Sequence, residues 1–245
     1  MSAVRLGLVF TLALLLAAVA FLPLRLALAW SGAEAAGLAA RRAEGSVWAG
    51  VLQEASLGGA PLGAVEVGLD PLSLVVASPR LRFSSTGVVS GTGEAGLGRD
   101  GVSLAGAELA APLAVALPGL PFRGRLRLKD AAIGFRAGRC ASAGGEAVID
   151  QLGLGARGPD IPGLAIAGRL ACRDGALVLP LAGEGEGVRF DGTLRVTGDG
   201  GYRLDSRIRA TNPTVDAALG LSGFDRTLEG FARVDHGRMG ARAAR

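Results

Sequence analysis

The chain opens on residues 6–24, an uncharged run reading LGLVFTLALLLAAVAFLPL. At ~1.5 Å per residue, a helix of this length nearly covers the ~30 Å hydrocarbon core of a bilayer. The apolar core of a secretory signal is shorter, usually about 7–15 residues. The run therefore predicts an uncleaved N-terminal transmembrane helix. A cleaved signal peptide is the competing reading, because Ala27-Leu28-Ala29 has the form of a cleavage site. Pro23 falls near the end of the run, where a helix tolerates the loss of one backbone donor. Arg5 precedes the run and Arg25, Arg41 and Arg42 follow it, so charge does not favour an N-in orientation.

Beyond Ser31 the pattern changes to period 2. Val65, Val67 and Leu69 alternate with Glu66 and Gly68, and Leu81 and Phe83 with Arg80 and Arg82. Leu126 and Leu128 alternate with Arg125, Arg127 and Lys129. Leu164, Ile166, Gly168 and Leu170 share one side of a run that reaches Cys172. Leu194 and Val196 flank Arg195, and Tyr202 and Leu204 flank Arg203. One apolar side and one arginine-rich side describe an antiparallel sheet with one wet face.

Turn chemistry punctuates these runs. Asp-Gly steps at residues 100–101, 174–175, 191–192 and 199–200 suit type I′ hairpins, in which both central residues take positive φ. The clearest hairpin spans residues 193–205 around Asp199-Gly200, and the spacing of the last two steps predicts short strands in a meander. Residues 153–163 and 183–187 read as glycine-rich loops, not domain boundaries. Asn212-Pro213-Thr214 reads as a helix start, with Asn212 as the cap and Pro213 as the first helical residue. The Ala-rich residues 33–44 either extend the anchor or begin the first strand. The expected fold is thus mainly β. An N-terminal transmembrane anchor (residues 1–30) leads into an antiparallel, twisted or partly open β-sheet domain (residues 31–245) with one short C-terminal helix.

Composition removes most chemistries. The chain has one His (His236), one Lys (Lys129), two Cys and 4% aromatic residues. Sparse aromatic residues leave little base-stacking capacity. The net charge of +4 includes Arg5 and Arg25, so the rest of the chain is near balance and has no basic face for nucleic acid. Arg233, Arg238, Arg242 and Arg245 form a basic C-terminal cluster, read as a frayed soluble end, with contact to anionic lipid head groups as the alternative. Two G-x-G-x-x-G matches, at residues 96–101 and 153–158, are what chance supplies at this glycine content. The first precedes a strand-like Val102-Ser103-Leu104 and the second precedes Pro159, where a dinucleotide site needs a helix. His236, before Gly237 near the C-terminus, reads as a turn residue and not as a catalytic base. Glu184 and Glu186 remain the only basis for a hydrolase reading, as solvated loop carboxylates. No cofactor, metal site or enzymatic activity is expected.

Cys140 and Cys172 read as a disulfide if the domain is exported, and as two buried thiols if it is cytosolic. Trp48 stands in Gly45-Ser46-Val47-Trp48-Ala49-Gly50. A large ring flanked by glycines packs closely against a neighbouring strand, or anchors a partner. Trp30, just past the apolar run, suits a membrane interface.

In order along the chain stand Leu22-Pro23, the motif Gly45, Ser46, Val47, Trp48 and Gly50, the segment LDPLSL at 69–74, GRLRL at 124–128, GDGGYRL at 198–204 and LGLSG at 219–223. In this order they resemble protein N of the bacterial type II secretion system. Two further tryptophans common in that family are absent here, at residues 65–68 and 146–150. The resemblance implies a single-pass inner-membrane protein with its bulk in the periplasm. It would be a non-catalytic accessory component supporting export across the outer membrane through contacts with the inner-membrane platform or the secretin. The alternative is an AsmA-like periplasmic groove that binds or transfers lipid along an incompletely closed apolar face.

Overall fold

The computed structural model describes residues 3–31, 37–75, 78–98, 101–155, 159–161 and 163–239. Sixteen strands among them form one antiparallel sheet. In chain order they begin with β1 (Leu38–Ala39), β2 (Arg42–Gly45), β3 (Gly50–Leu57), β4 (Ala60–Leu69), β5 (Arg80–Thr86) and β6 (Ser90–Gly98). The sheet continues through β7 (Gly101–Pro112), β8 (Phe122–Arg136), β9 (Arg139–Leu154), β10 (Ala165–Arg169) and β11 (Ala171–Arg173). It ends with β12 (Ala176–Gly185), β13 (Val188–Val196), β14 (Gly201–Ala210), β15 (Asp225–Thr227) and β16 (Gly230–Arg238). Neighbours in sequence are mostly neighbours in space, as a meander requires. The departures are that β1 and β2 both flank β3, β11 hangs on β12, and β15 folds back outside β16. The two ends of the sheet do not pair with each other, so it stays open.

The central strands are not short. β7, β8 and β9 run for 12, 15 and 16 residues. Irregular pairing lets them bend where the alternation suggested they would stop. The ladders between β7 and β8 and between β8 and β9 shift register around Ala107 and after Lys129. Gly106, Asp130 and Gly145 take positive φ there, and such bulges bend a sheet. Ala107, Ala131 and Ala147, all fully buried, line this crease. A Cβ on Gly145 would lie 2.6 Å from the Asp130 carbonyl, so the crease admits only glycine at that point.

The Asp-Gly steps divide. Asp174 and Gly175 both have positive φ and form the two-residue turn between β11 and β12. Asp191-Gly192 lies inside β13, paired on both sides, and is not a turn. At Asp199-Gly200 only Gly200 is left-handed, in the four-residue connection between β13 and β14. Residues 99–100 lie outside the described residues. Gly183, Glu184 and Gly185 belong to β12 and not to a loop, and Glu184 pairs with Arg189 across the ladder. Gly153 and Leu154 likewise extend β9. His236 is an exposed residue of β16 opposite Arg203, not a turn residue. Arg233 and Arg238 also belong to β16 and are ion-paired, to Asp235 and Asp199. Only residues 240–245 of the basic end lie outside the described residues.

Five helices accompany the sheet among the described residues: α1 (Ala3–Ala20), α2 (Leu24–Ser31), α3 (Pro71–Val75), α4 (Leu113–Ala116) and α5 (Pro213–Leu221). The helix expected near the C-terminus is α5. The Asn212 side chain accepts from the Thr214 and Val215 amides, and Pro213 opens the helix. Short α3 and α4 add to it, since both are single turns too brief to show helical periodicity. The apolar run at 6–24 is not one helix. α1 ends at Ala20 because Pro23 removes a backbone donor and disfavours helix at Leu22. Among the described residues no helix is long and apolar enough to cross a membrane.

Two apolar clusters sit on one side of the sheet. The larger joins β7 through β16 with α4 and α5. Phe122 stacks edge-on against Phe190 and Phe224, at 6.2 and 5.6 Å between ring centres, and Leu113, Leu117 and Leu219 close over it. The smaller contains Leu52, Ala55, Val65 and Val67 from β3 and β4, covered by Leu24 and Leu28 of α2. Cys140 and Cys172 form a disulfide, with Cα atoms 5.5 Å apart. It links β9 to β11 where no strand ladder joins them, since β10 occupies the seam only as far as Arg169.

Candidate interaction site at the helix–sheet junction

The motif at residues 45–50 is the connection between β2 and β3. Gly45 and Gly50 pair across its mouth. Inside it the Ser46 amide donates to the Ala49 carbonyl at 3.1 Å, and the Ser46 hydroxyl accepts from the Ala49 amide at 3.3 Å. The motif reaches in two directions. The Val47 amide donates to the Leu22 carbonyl at 3.0 Å, and the Val47 carbonyl accepts from the Leu69 amide at 2.8 Å. Two backbone bonds thus join Leu22, Val47 and Leu69 into a short ladder, and Pro23 bridges to Ser46 beside it. The Trp48 indole N–H donates to the Val19 carbonyl, in the last turn of α1, at 3.1 Å.

Each motif residue now has a physical reason. Gly45 is left-handed (φ 87°). Val47 is buried. A Cβ on Gly50 would lie 2.6 Å from Leu24 Cδ2 and 2.8 Å from the Ser46 carbonyl, so Gly50 is the notch that receives Leu24. Gly68 of β4 plays the matching part for the Trp48 carbonyl, which a Cβ there would meet at 2.7 Å. Trp48 therefore does not lie in a strand as a ring covering glycine. It is a half-buried turn residue whose polar edge is tied to α1. The Trp30 side chain lies outside the described residues.

The segment at residues 69–74 completes the junction. The Asp70 amide donates to the Arg80 carbonyl, and its carboxylate accepts from the Leu72 amide. The buried Ser73 hydroxyl donates to the Asp70 carbonyl at 2.5 Å and accepts from the Arg80 amide at 2.9 Å. This pins α3 beside the ladder. Next to it, a groove of about 950 Å³ runs over β2 to β6. Its charged lining is mainly acidic, with Glu44, Glu66 and Glu94 against Arg82, which pairs with Glu94 at 3.4 Å.

Sequence reasoning picked out the motif but not its counterparts in space. Val19 and Leu24 were hidden in the apolar run, where every residue looks equivalent. Gly68 carried a readable signal as the one glycine among alternating Val65, Val67 and Leu69.

The segment at 198–204, which also carried the family resemblance, is architectural. The Asp199 carboxylate accepts from the Thr197 hydroxyl at 2.6 Å, the Gly201 amide at 3.3 Å and Arg238 at 2.8 Å. These bonds, led by the one from Thr197, hold its pKa down at about 2. The buried Tyr202 hydroxyl donates to the Pro118 carbonyl, and burial, then the charge of Asp235, raises its pKa. Gly237 leaves room for the ring, which a Cβ would meet at 2.5 Å. Among the described residues no three His, Cys, Asp or Glu side chains are grouped to hold a metal.

The family model for protein N of the type II secretion system matches residues 36–234. The chain belongs to this family. The match begins just before β1 and ends inside β16, so it takes in the Trp48 motif, α3 and the whole sheet apart from its last residues. The partners of the motif in α1 and α2 lie ahead of it. No curated protein matches the chain, and no solved structure does. Membership in the protein N family gives the chain an accessory role in type II secretion, a family not known as catalytic, and contact in general with other components of that machinery.

Proposed function

We propose that this protein N family member is a non-catalytic, single-pass component of the bacterial inner membrane. Residues 1–30 supply the anchor and residues 31–245 form a periplasmic β domain. The domain supports export across the outer membrane by protein–protein contacts with the inner-membrane platform or the secretin. The observation that carries the reading is the junction itself. The family's most distinctive motif binds the sheet to the end of α1, at Val19 and Leu22. A domain whose task is to be held at one place relative to an apolar helix needs such a joint, and a freely diffusing domain does not. The exposed apolar side chains of Val9, Phe10 and Leu14 on α1 support a lipid environment for that helix.

The lipid-groove reading needs a vacant apolar face. The apolar side of the sheet is covered by Leu24, α4 and α5 and filled by the Phe122, Phe190 and Phe224 rings. The open groove beside Trp48 carries carboxylates, which suit protein side chains better than acyl chains.

The test is a gene deletion complemented by the wild-type chain or by residues 21–245 behind a cleavable signal peptide, which keeps Leu24 and α2 on the sheet. Secretion of a folded substrate and the steady-state levels of platform and secretin proteins are measured. The wild type restores secretion and the soluble domain does not. Unchanged secretion and unchanged partner levels on deletion overturn the reading.

A further inference from the structure

We infer that the junction also forms a lipid-contact belt, in which Phe21, Trp48 and Leu72 enter the headgroup region and seat the β domain directly on the bilayer. This rests on the reading of α1 as a membrane anchor and adds where the membrane boundary lies.

The three residues come from distant parts of the sequence, and the Leu22–Val47–Leu69 ladder gathers them. Phe21 precedes Leu22, Trp48 follows Val47, and Leu72 is three residues past Leu69. Phe21 is 81% exposed and Leu72 is 76% exposed, among the most exposed large apolar side chains described. The patch continues the surface of α1, where Phe10 and Leu14 are exposed and Val19, whose carbonyl Trp48 holds, is too. A single exposed apolar residue needs no explanation, but several converging on the end of an apolar helix do.

The hydrogen bond of Trp48 points to the same occupant. The last carbonyls of a helix have no partner within it. The Val19 carbonyl accepts from the Leu22 amide at 3.3 Å, and the Trp48 indole adds a second donor, so it is fully paired where water is scarce. An indole gives an apolar body with one donor, the combination that concentrates aromatic residues at membrane interfaces. Arg25, exposed on α2 just beyond Phe21, places a cation at phosphate level. Of the carboxylates beside the patch, Asp70 is engaged with the Leu72 amide and Glu44 lines the groove next to Trp48.

The test uses the full chain with Trp30→Phe, leaving Trp48 as the only tryptophan, in vesicles of phosphatidylethanolamine and phosphatidylglycerol. Trp48 fluorescence is quenched by lipids brominated near the headgroup or near the bilayer centre, and by aqueous iodide. Shallow bromines should quench about two-fold more than deep ones, as expected of an interfacial indole, with iodide access low. Carbonate-resistant protein whose Trp48 is quenched by iodide and by neither lipid overturns the belt and leaves the anchor standing. Protein washed off by carbonate overturns the anchor reading itself. Trp48 shielded from both lipid and iodide assigns the patch to a protein, and single-copy nanodiscs then show whether a second copy of this chain covers it.

Discussion

The N-terminal end of the sheet rests on a small cluster, Leu52, Ala55, Val65 and Val67, and a fifth buried residue, Leu24, reaches in from α2. The C-terminal part has a core drawn almost wholly from its own strands, with three phenylalanine rings, α4 and α5 packed within it and a disulfide across its one interrupted seam. The difference separates two tasks. Among the described residues the C-terminal core takes no buried side chain from ahead of β7. The N-terminal part is finished only when the chain ahead of the β domain folds down onto it, so the joint to α1 and the stability of β3 and β4 are one property.

This comparison yields a ranked set of outcomes. Phe122→Ala should cost the most, about 3–5 kcal/mol, because it opens a cavity beneath two other rings. Denaturant unfolding measures the loss, and retained Trp48 fluorescence at low denaturant shows that the junction is spared. Replacing both Cys140 and Cys172 by Ala should cost roughly 3–4 kcal/mol by the loop-entropy account, for a separation of 32 residues. Faster amide exchange should then appear first in β9 to β11. If exchange instead rises first in β3 and β4, the division into two parts is wrong.

Leu24→Ala should cost about 2–3 kcal/mol and raise exchange in β3 and β4 while β12 to β14 stay protected. Gly50→Ala strikes the same contact from the other side. Its effect should therefore be non-additive with Leu24→Ala in a double-mutant cycle. Strict additivity means that the notch and Leu24 act independently. Trp48→Phe removes one hydrogen bond at a half-buried site and should cost about 1 kcal/mol, seen as loosened α1 and an otherwise unchanged melt. The smallest effect belongs to Asp199. Its pKa is lowered in the fold from 3.8 to about 2. Its contribution is therefore complete above 3.8 and fades as pH falls toward 2. Exchange at the Thr197–Gly201 turn should rise over that interval, and Asp199→Asn should remove the pH dependence.

Much of the fold was legible. Alternation placed Leu164, Ile166 and Leu170 on the buried side, and Leu194, Val196, Tyr202 and Leu204 likewise. Asn212-Pro213 marked α5 because capping chemistry is local, and the two cysteines found each other. The misread loops share one cause. Glycine was taken as punctuation at residues 183–185 and 191–192, where it lies within strands because the neighbouring chain approaches too closely for a side chain. A Cβ on Gly185 would lie 2.7 Å from the Leu164 amide nitrogen of the neighbouring segment. Turn chemistry and close packing select the same residue, and only the neighbours distinguish them. The length of β8 and β9 was missed for the same reason, since a bulge interrupts the period much as a loop does.

The candidate site divides in the same way. The motif was visible as an unusual cluster of Trp48 between glycines, but its meaning was not, because all its important partners are distant in sequence. Sequence by itself determined the mainly β character, the antiparallel meander, the α5 cap and the family, since these rest on periodicities and residue types read over a few neighbouring positions. The break of the apolar run at Ala20 follows locally from Pro23, whereas tertiary structure alone decided that Leu24 turns into the core and that Trp48 closes the end of α1. Those outcomes depend on which surfaces meet once loops of 20 to 30 residues have closed, and no local pattern carries that information.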